Sequence, residues 1–354
     1  MQDGVAVGIV GFGNWGSKHV RVLSSLPKVR QVVVIDSNPS RLHDVISTFP
    51  KARAFKDLES ALPHVSALVI ATPPHTHYEL ALTALRHGKH ILVEKPMTQS
   101  THEAVLLLNE ARRSNCVLMT GHTLLFNPAV NELQSRLSQG NLGQIRSVHA
   151  AQFSREYSVH GADAVWDLAP HSISVFNHLV GSLPTSVSAW NATASKRTES
   201  IHVELQYGEI GVAGFIHISR GGTQKVRTFT VIGTEKSAIY DDLAENPLQM
   251  YRQVPIPGLG GGIEHEQEIT FPNIEYTEPL VEELRHFLAA IKDRSVLKSS
   301  GRDGMLTVAI MEAIDRSRKN QKRSEVYYPS DFRYEIFSVG APDKDDCLSP
   351  RKHQ

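Results

Sequence analysis

A glycine pattern near the start of the chain constrains the fold more than any other feature. Gly11-Phe12-Gly13-Asn14-Trp15-Gly16 follows a short apolar run, Val5–Val10, and precedes a segment with helical character. In such a pattern the first glycine makes a tight turn, the second lets the backbone approach a pyrophosphate, and the third lets helix and strand pack closely. The amides at the helix start then face the phosphates. The residues expected to bind a dinucleotide are Gly11, Phe12, Gly13, Asn14, Trp15 and Gly16.

An acidic residue lies where a dinucleotide site needs one. Asp36 ends the next apolar run, Gln31–Ile35, and follows Gly16 by 20 positions. A carboxylate at that point binds the ribose hydroxyls of NAD and repels the 2′-phosphate of NADP. Because Ser37 and Arg41 follow and can accommodate a phosphate, NAD is the expected cofactor and NADP the less favoured one.

The order of the predicted elements divides the chain into two domains and a tail. In residues 1–122 short runs rich in Val, Ile and Leu alternate with helical patterns, which indicates a doubly wound parallel sheet. In residues 123–330 successive alternating strands such as Ile201–Tyr207 predict a mostly antiparallel sheet accompanied by helices. The fold class is therefore an α/β Rossmann domain followed by an α+β domain. Gly258–Gly262 is predicted to be a loop, and residues 331–354 a polar, loosely held tail.

Composition argues against several classes of function. Lys and Arg total 37, as do Asp and Glu, so no basic surface favours nucleic acid or an acidic membrane. No apolar run approaches the ~20 residues of a membrane span, and no secretory signal is recognisable. Two cysteines, Cys116 and Cys347, are typical of a reducing cytoplasm rather than a disulfide framework. His75 and His77 lack companion ligands, so no metal is expected.

Three further segments complete a recognisable pattern. They are Ala71-Thr72-Pro73-Pro74-His75-Thr76-His77, Glu94-Lys95-Pro96, and Trp166-Asp167-Leu168-Ala169-Pro170-His171. Together with the glycine pattern, they make the chain resemble the Gfo/Idh/MocA oxidoreductases from Val5 to about Arg318. The resemblance implies an NAD(P)-binding Rossmann domain and a second domain whose exposed sheet face commonly serves oligomer formation. A homodimer or homotetramer is therefore expected.

The resemblance also implies a set of catalytic residues. Lys95 matches the catalytic lysine of the family, and Asp167 and His171 match its Asp-x-x-x-His pair. Oxidation of a secondary alcohol leaves a hydroxyl proton to be removed, and histidine is the residue type that titrates near neutral pH. Lys95 would stabilise the developing alkoxide, and Asp167 would orient the imidazole or bind a neighbouring hydroxyl. The sequence leaves open whether Lys95 or His171 is the immediate base.

The local sequence admits a purely structural alternative for the later pair. Asp167 and His171 lie four residues apart at the start of a predicted helix, Asp167–Val180, and hence on one face. Pro170 is tolerated there as a first-turn residue. On the structural alternative, Asp167 is only the helix N-cap and His171 a buried histidine.

Other positions are assigned by resemblance. Thr72, Pro73, His77, Glu94 and Lys95 match the segments that flank the cofactor. The stretch Gly121–Pro128 departs from the aromatic-Asn-Arg-Arg-aromatic form of many members and is similar to members that oxidise nucleotide-activated sugars, often at C3. The expected substrate contacts are Lys95, His122, Phe126, Asn127, Arg155, Trp166, Asp167 and His171. Arg146 and His160, with Arg155, are further candidates for contacts with phosphates, although solvated surface positions are their default.

These features predict an NAD-dependent dehydrogenase that oxidises a ring hydroxyl of a sugar or nucleotide sugar to a ketone, with hydride transfer to nicotinamide. The alternatives are a dehydrogenase or ketoreductase for an inositol, a sugar phosphate or an aminoglycoside-type pseudosugar, and an NAD-dependent glycosidase. A non-catalytic dinucleotide-binding regulator is the alternative from another class. Such a regulator has no reason to keep Lys95, Asp167 and His171 together.

Overall fold

The computed structural model of the protein describes residues 4–156, 163–194, 199–257 and 263–329. The predicted loop Gly258–Gly262, the candidate phosphate contact His160 and the predicted tail 331–354 lie outside the described residues.

Six parallel strands form the first sheet. They are β1 (Val5–Val10), β2 (Val29–Ile35), β3 (Arg53–Phe55), β4 (Ala67–Ile70), β5 (His90–Glu94) and β6 (Leu118–Gly121). Their order is β3-β2-β1-β4-β5-β6, so the direction of progression reverses between β1 and β4. Sheets of this kind bind ligands at the carboxyl ends of the strands beside such a reversal. The prediction of a doubly wound parallel sheet is confirmed.

Helices surround the first sheet. They are α1 (Asn14–Ser25), α2 (Pro39–Thr48), α3 (Leu58–Ala61), α4 (His77–Arg86) and α5 (Thr101–Arg113). Alternate residues of β2 enter two separate apolar cores, Val32 and Val34 in one, Val33 and Ile35 in the other. Because successive side chains of a strand point to opposite faces, both faces of this sheet are buried.

Nine strands form the second sheet. They are β7 (Ile145–Ser154), β8 (Ser186–Ala194), β9 (Glu199–Tyr207), β10 (Val212–Arg220), β11 (Val226–Gly233), β12 (Ser237–Asp241), β13 (Leu248–Pro257), β14 (Ile263–Thr270) and β15 (Ser324–Glu325). Their order is β14-β13-β12-β11-β7-β10-β9-β8-β15. β7 and β10 run parallel, and the other described pairs are antiparallel. The prediction of a mostly antiparallel sheet is confirmed, but β13 and β14 were not predicted, because prolines and acidic residues interrupt their apolar pattern.

Helices of the second domain pack mostly on one face of its sheet. They are α6 (Pro128–Ser138), α7 (Ala164–Val180), α8 (Pro279–Asp293) and α9 (Gly301–Asn320). α7 packs on β7 and β10, and α9 packs on β8, whereas α8 contacts α1 of the first domain. α9 also reaches the first sheet, where a Cβ at Gly304 would lie 2.2 Å from Thr120 Oγ1. The last helix therefore ties the two sheets together, and it can approach β6 closely only because glycine lacks a side chain.

The start of α7 differs from the prediction. The helix begins at Ala164, and the Asp163 side chain caps it by accepting a bond from the Val165 amide at 2.8 Å. Asp167 is therefore not the N-cap, and Pro170 lies in the second turn rather than the first. Proline has no N–H, so the carbonyl of the residue four positions earlier loses its usual helical partner.

Candidate active site

A cleft of about 750 Å³ lies at the carboxyl ends of the strands beside the reversal of the first sheet. The predicted cofactor residues that line it are Gly11, Gly13, Asn14, Trp15, Asp36, Ser37, Arg41, Thr72 and Pro73. Sequence reasoning missed a further contribution from Lys56, Asp57 and Leu58. Asp57 caps α3 by accepting a bond from the Ser60 amide at 2.9 Å, and this N-cap pattern was the available signal.

The glycines of the pattern have distinct geometric roles. Gly11 has φ +93°, and a Cβ there would lie 2.9 Å from the Ala71 carbonyl oxygen. A Cβ at Gly16 would lie 1.8 Å from the Gly11 carbonyl oxygen, whereas at Gly13 nothing lies within 4 Å. The turn and the helix contact therefore require glycine, and the space beside Gly13 fits the approach of a pyrophosphate. The cleft fits a dinucleotide such as NAD.

Asp36 is held at the edge of this cleft by the backbone. Its carboxylate accepts bonds from the Phe12 amide at 2.7 Å and the Asn38 amide at 2.8 Å, and Arg41 Nη1 lies 3.3 Å away. The Phe12 ring packs on Phe49 at 6.4 Å between centroids. Phe12 therefore contributes its amide to the placement of Asp36, while its side chain belongs to the core rather than to the cofactor site.

Two residues expected beside the cofactor lie behind the cleft instead. The ring nitrogens of His77 lie 2.9 Å from the Pro96 carbonyl oxygen and 2.8 Å from that of Thr72. Glu94 is buried and its Oε1 lies 2.8 Å from His19 Nε2. Burial alone would raise the pKa of Glu94, but the hydrogen bond and charge of His19 outweigh it and lower the pKa. His77 and Glu94 therefore stabilise the structure behind the cleft through these contacts and do not line the cleft itself.

Lys95 directly follows β5 and contacts α7. Its Nζ donates to the carbonyl oxygen of Asp167 at 2.7 Å and to Asp167 Oδ1 at 2.9 Å. The other carboxylate oxygen of Asp167 accepts a bond from Arg220 Nη2 at 2.8 Å. Burial acts to raise the pKa of Asp167, but the neighbouring charges of Lys95 and Arg220 lower it. An ammonium has three N–H groups, so one N–H of Lys95 remains beyond the two that bind Asp167.

His171 lies one turn further along α7 and lines a second cavity of about 460 Å³. Its Nδ1 is buried and has no hydrogen-bond partner in the described part of the chain. Burial, assisted by the positive charge of Lys95, lowers the pKa of His171 well below its usual value. The imidazole is therefore neutral at physiological pH. Asp167 makes no hydrogen bond with Nδ1 of His171 in the described structure; its carboxylate oxygens bind Lys95 and Arg220.

The second cavity adjoins the cofactor cleft. Trp15 lines both, so the two spaces share a wall. Further lining residues are Thr123, Asn127, Arg227, Tyr240, Asp242, Glu245 and Tyr276. Asn127 caps α6, and its Nδ2 donates to the Tyr240 hydroxyl at 3.0 Å. Arg227 Nη1 pairs with Asp242 at 2.9 Å. The cavity combines aromatic and polar groups, which is the mixture that sugar-sized ligands require.

Of the expected substrate contacts, Asn127 and His171 line the second cavity. Lys95, Asp167 and His122 lie close to His171 without lining that cavity, and the others lie elsewhere. Phe126 is buried and faces a third cavity of about 1050 Å³, and Trp166 Nε1 donates to Asp315 at 2.7 Å. Arg155 is exposed at the end of β7 and lines none of the three cavities. His122 is buried with both ring nitrogens unpartnered among the described residues, and burial lowers its pKa to about 4. Arg146 is likewise exposed on β7.

Two arginines that sequence reasoning missed take part in the site. Arg227 lines the second cavity and Arg220 binds Asp167. Arg220 has a detectable signal, because it continues the alternation of buried residues along β10 that includes Ile216 and Ile218. A charged residue at a position where the alternation predicts a buried side chain is expected to have an oppositely charged or hydrogen-bonding partner.

Among residues 4–156, 163–194, 199–257 and 263–329, no three His, Cys, Asp or Glu side chains are grouped so as to hold a metal ion. No helix described for these ranges is long and apolar enough to cross a membrane.

Comparison with known protein families matches most of the chain. The model of an oxidoreductase family with an NAD-binding Rossmann fold matches residues 5–122. The model of the C-terminal α/β domain of the same oxidoreductase family matches residues 134–326.

Individual relatives are more distant. An inositol 2-dehydrogenase from Rhizobium meliloti (strain 1021) is 25% identical over 336 residues, which cover 91% of this chain and 99% of that protein. A UDP-N-acetylglucosamine 3-dehydrogenase from Acidithiobacillus ferrooxidans is 26% identical over 290 residues, 80% of this chain and 88% of the relative. A solved structure of the UDP-N-acetylglucosamine 3-dehydrogenase from Acidithiobacillus ferrooxidans superposes with a TM-score of 0.78 at 24% identity, covering 89% of this chain and 98% of its own. At that identity the likeness is one of fold.

Proposed function

Because this chain belongs to the Gfo/Idh/MocA family of oxidoreductases, we propose that it oxidises a secondary ring hydroxyl of a sugar or nucleotide-activated sugar to a ketone, preferentially at C3. The chain is an NAD-binding oxidoreductase; the substrate and the carbon are the proposal. The observation that carries it is the placement of Lys95, which Asp167 holds by two N–H groups beside the neutral His171.

The residues of the site divide the work between them. NAD, when bound along Gly11–Gly16 and Asp36, supplies the two-electron acceptor for the carbinol carbon. The remaining N–H of Lys95 binds the hydroxyl oxygen, and its charge stabilises the alkoxide as it develops. His171 is the proposed base, because a neutral imidazole has a lone pair for the hydroxyl proton and the ammonium of Lys95 has none.

The second cavity supports a sugar as substrate. Trp15 and Tyr276 supply aromatic surface, and Asn127 and Arg227 supply polar groups, around a volume of about 460 Å³. Arg227 takes the place of the exposed Arg155 as the proposed contact with a phosphate of an activated sugar. The similarity to a UDP-N-acetylglucosamine 3-dehydrogenase supports this choice.

A second candidate substrate class is favoured by the charges of the same cavity. Asp242 already neutralises Arg227, and Glu245 adds a further carboxylate. This balance suits an uncharged or amino-bearing ring better than a diphosphate. An inositol or an aminoglycoside-type pseudosugar is therefore the alternative, and the similarity to an inositol 2-dehydrogenase supports it.

The experiment is a screen of NAD reduction by the purified protein. UDP-sugars, dTDP-sugars, free sugars, inositols and aminoglycosides are offered in turn, and the rate of NADH formation is recorded. Accumulation of NADH with a sugar or nucleotide sugar is expected. Turnover without accumulation of NADH would identify the glycosidase. NAD binding with no turnover of any of these alcohols would contradict the proposed oxidation and favour the regulator.

We also propose that a second copy of the chain covers the open face of the second sheet. Trp190, Phe215 and Ile232 are 51%, 39% and 38% exposed on this face. Rings follow one another across its strands, with Trp190 and His202 centroids 5.5 Å apart and His202 and His217 4.2 Å apart. Exposed apolar surface of this kind is typical of an interface, so a cytoplasmic homodimer or homotetramer is the proposed state.

A further inference from the structure

A buried arginine lies next to the catalytic lysine without touching the substrate cavity. Arg220 ends β10, its side chain is 5% exposed, and it lines neither the cofactor cleft nor the second cavity. It lies directly opposite Glu199 in the antiparallel neighbour β9. Burial of a guanidinium is unfavourable unless charged partners compensate it, so its position calls for a specific reason.

The partners of Arg220 connect the sheet to α7. Nη2 donates to Asp167 Oδ2 at 2.8 Å, and Nη1 lies 3.6 Å from Glu199 Oε2. The Asp167 side chain is 48% exposed, so packing alone does not fix its rotamer. The shorter bond to a rigid, buried guanidinium does fix it. Asp167 in turn binds Lys95 through its carbonyl oxygen and Oδ1.

We propose that Arg220 is a positioning residue of the reaction, which fixes Asp167 so that Lys95 is held with one N–H directed to the substrate oxygen. The inference rests on the proposed function, since it assumes that Lys95 meets that oxygen. Arg220 acts through Asp167 and does not itself contact the reacting atoms.

The charge of Arg220 contributes as well as its shape. Lys95 and Asp167 together are neutral, and a neutral pair stabilises a developing alkoxide less than a free ammonium does. With Arg220 on the other carboxylate oxygen, the three groups carry a net charge of one positive unit. Glu199 offsets this charge only in part, because it lies farther away, beyond the second nitrogen of the guanidinium.

Substitutions separate the two contributions. Arg220→Met is expected to lower kcat about a hundredfold, the cost of a small misplacement of a catalytic group. It should also move the acid limb of the pH–rate profile to higher pH, because the charge of Arg220 lowers the pKa of Asp167 and its loss favours protonation of the carboxylate that holds Lys95. Arg220→Lys keeps the positive charge but loses the planar guanidinium. The acid limb of its pH–rate profile should therefore stay in place, while kcat falls about tenfold.

A second arginine–aspartate pair at the start of α7 offers a matched control. Arg318 binds Asp163, the N-cap of α7, with Nη1 at 2.9 Å from Oδ2. Arg318→Met therefore breaks an arginine–aspartate pair of α7 without reaching Lys95, and should lower the melting temperature while leaving kcat and the pH profile unchanged. A kcat and pH profile in Arg220→Met equal to those of Arg318→Met would overturn the proposal.

A double-mutant comparison excludes a merely structural role. If Arg220 acts through Asp167, Arg220→Lys should lower kcat in the wild-type background and have little further effect in an Asp167→Asn background. Equal losses in both backgrounds would overturn the inference. This comparison also serves if Arg220→Met fails to fold, because the lysine variant keeps the buried charge.

A readout without substrate separates failure of this inference from failure of the proposed function. Acylation of Lys95 by an amine-reactive reagent is followed by mass spectrometry at one fixed pH. In Arg220→Met the Asp167 carboxylate is no longer fixed by the guanidinium, so it holds Lys95 less firmly and labelling should be faster than in the wild type. An unchanged or slower labelling rate would overturn the coupling, whatever alcohol the enzyme oxidises. A faster rate with no turnover of any alcohol would contradict the proposed function alone.

Discussion

Replacement of Lys95 by methionine separates its chemical contribution from its structural one. The lysine contributes two bonds to Asp167, and removing them leaves the Asp167 carboxylate still paired with Arg220 at 2.8 Å. Because the Asp167 side chain is half exposed, the lost ion pair should cost at most about 1 kcal/mol of unfolding free energy. Methionine has nearly the length of lysine and fills its space.

The effect on turnover should be much larger. Loss of one electrostatic contact to a developing oxyanion costs about 10²–10³ in kcat, or roughly 3–4 kcal/mol. His171→Ala should cost about 10²–10⁴ if the imidazole is the base. Because both residues serve one proton transfer, the double variant should lose less than the product of the two single losses.

The assay combines steady-state NADH formation with a titration of NAD. Trp15 lines both the cofactor cleft and the second cavity, so its fluorescence can report NAD binding. NAD affinity should change little in Lys95→Met. Lys89→Met is the matched control, since Lys89 lies at the other end of β5 and donates to the Val65 carbonyl oxygen at 2.9 Å. Turnover of Lys95→Met equal to that of Lys89→Met, with NAD still bound, would refute the assignment of chemistry to Lys95.

Three other expectations follow from the structure. Asp36→Ala should narrow the preference for NAD over NADP, because it removes the carboxylate that repels a 2′-phosphate. Asp57→Asn in the same cleft should leave that preference unchanged. Tighter binding of NADP than of NAD by the wild type in a fluorescence titration would contradict this expectation. The unfolding free energy should fall as pH decreases from 6.5 towards about 4, because burial lowers the pKa of His122 to about 4 and the unfolded chain takes up the proton first. Burial lowers the pKa of His171 and His178 as well, so His122→Leu should reduce this loss only in part in thermal unfolding, and an unchanged slope would exclude His122 as a source. Light scattering at micromolar concentration should give the mass of a dimer or tetramer. Trp190→Asp should reduce this mass to that of a monomer, whereas Ile46→Asp on the outer face of α2 should leave it unchanged. A monomeric wild type would rule out the proposed interface.

The first domain was predictable because its information is local in the sequence. The turn at Gly11, the helix start at Asn14 and the acid at Asp36 lie within a few dozen residues. Their spacing alone specifies a strand, a turn and a helix around a phosphate. Four residues of the glycine pattern line the cleft beside Asp36, as expected: Gly11, Gly13, Asn14 and Trp15.

The second half of the site depended on long-range pairing and was predicted less well. β13 and β14 carry too few apolar residues to be recognised, and they form only because they pair with each other at the end of a large sheet. Arg220 was missed as a partner of Asp167 for a related reason. Arg220 lies 53 residues further along the chain and meets Asp167 only once β10 is in the sheet.

The pattern of buried positions along a strand or helix would have identified more residues of this site than the spacing of sequence motifs does. Arg220 occupies a position of β10 at which alternation predicts an apolar side chain. Glu283 does the same in α8, where it shares the buried face with Leu280, Leu284 and Phe287. Burial raises the pKa of Glu283 well above its usual value, and its carboxyl accepts a bond at 2.9 Å from Thr123, which lines the second cavity. A charged residue in an apolar phase is unfavourable unless the fold gives it a partner. Arg220 and Glu283 both bind a partner beside the site. Charged residues at positions where the pattern predicts an apolar side chain therefore identify parts of this site that the family motifs do not contain.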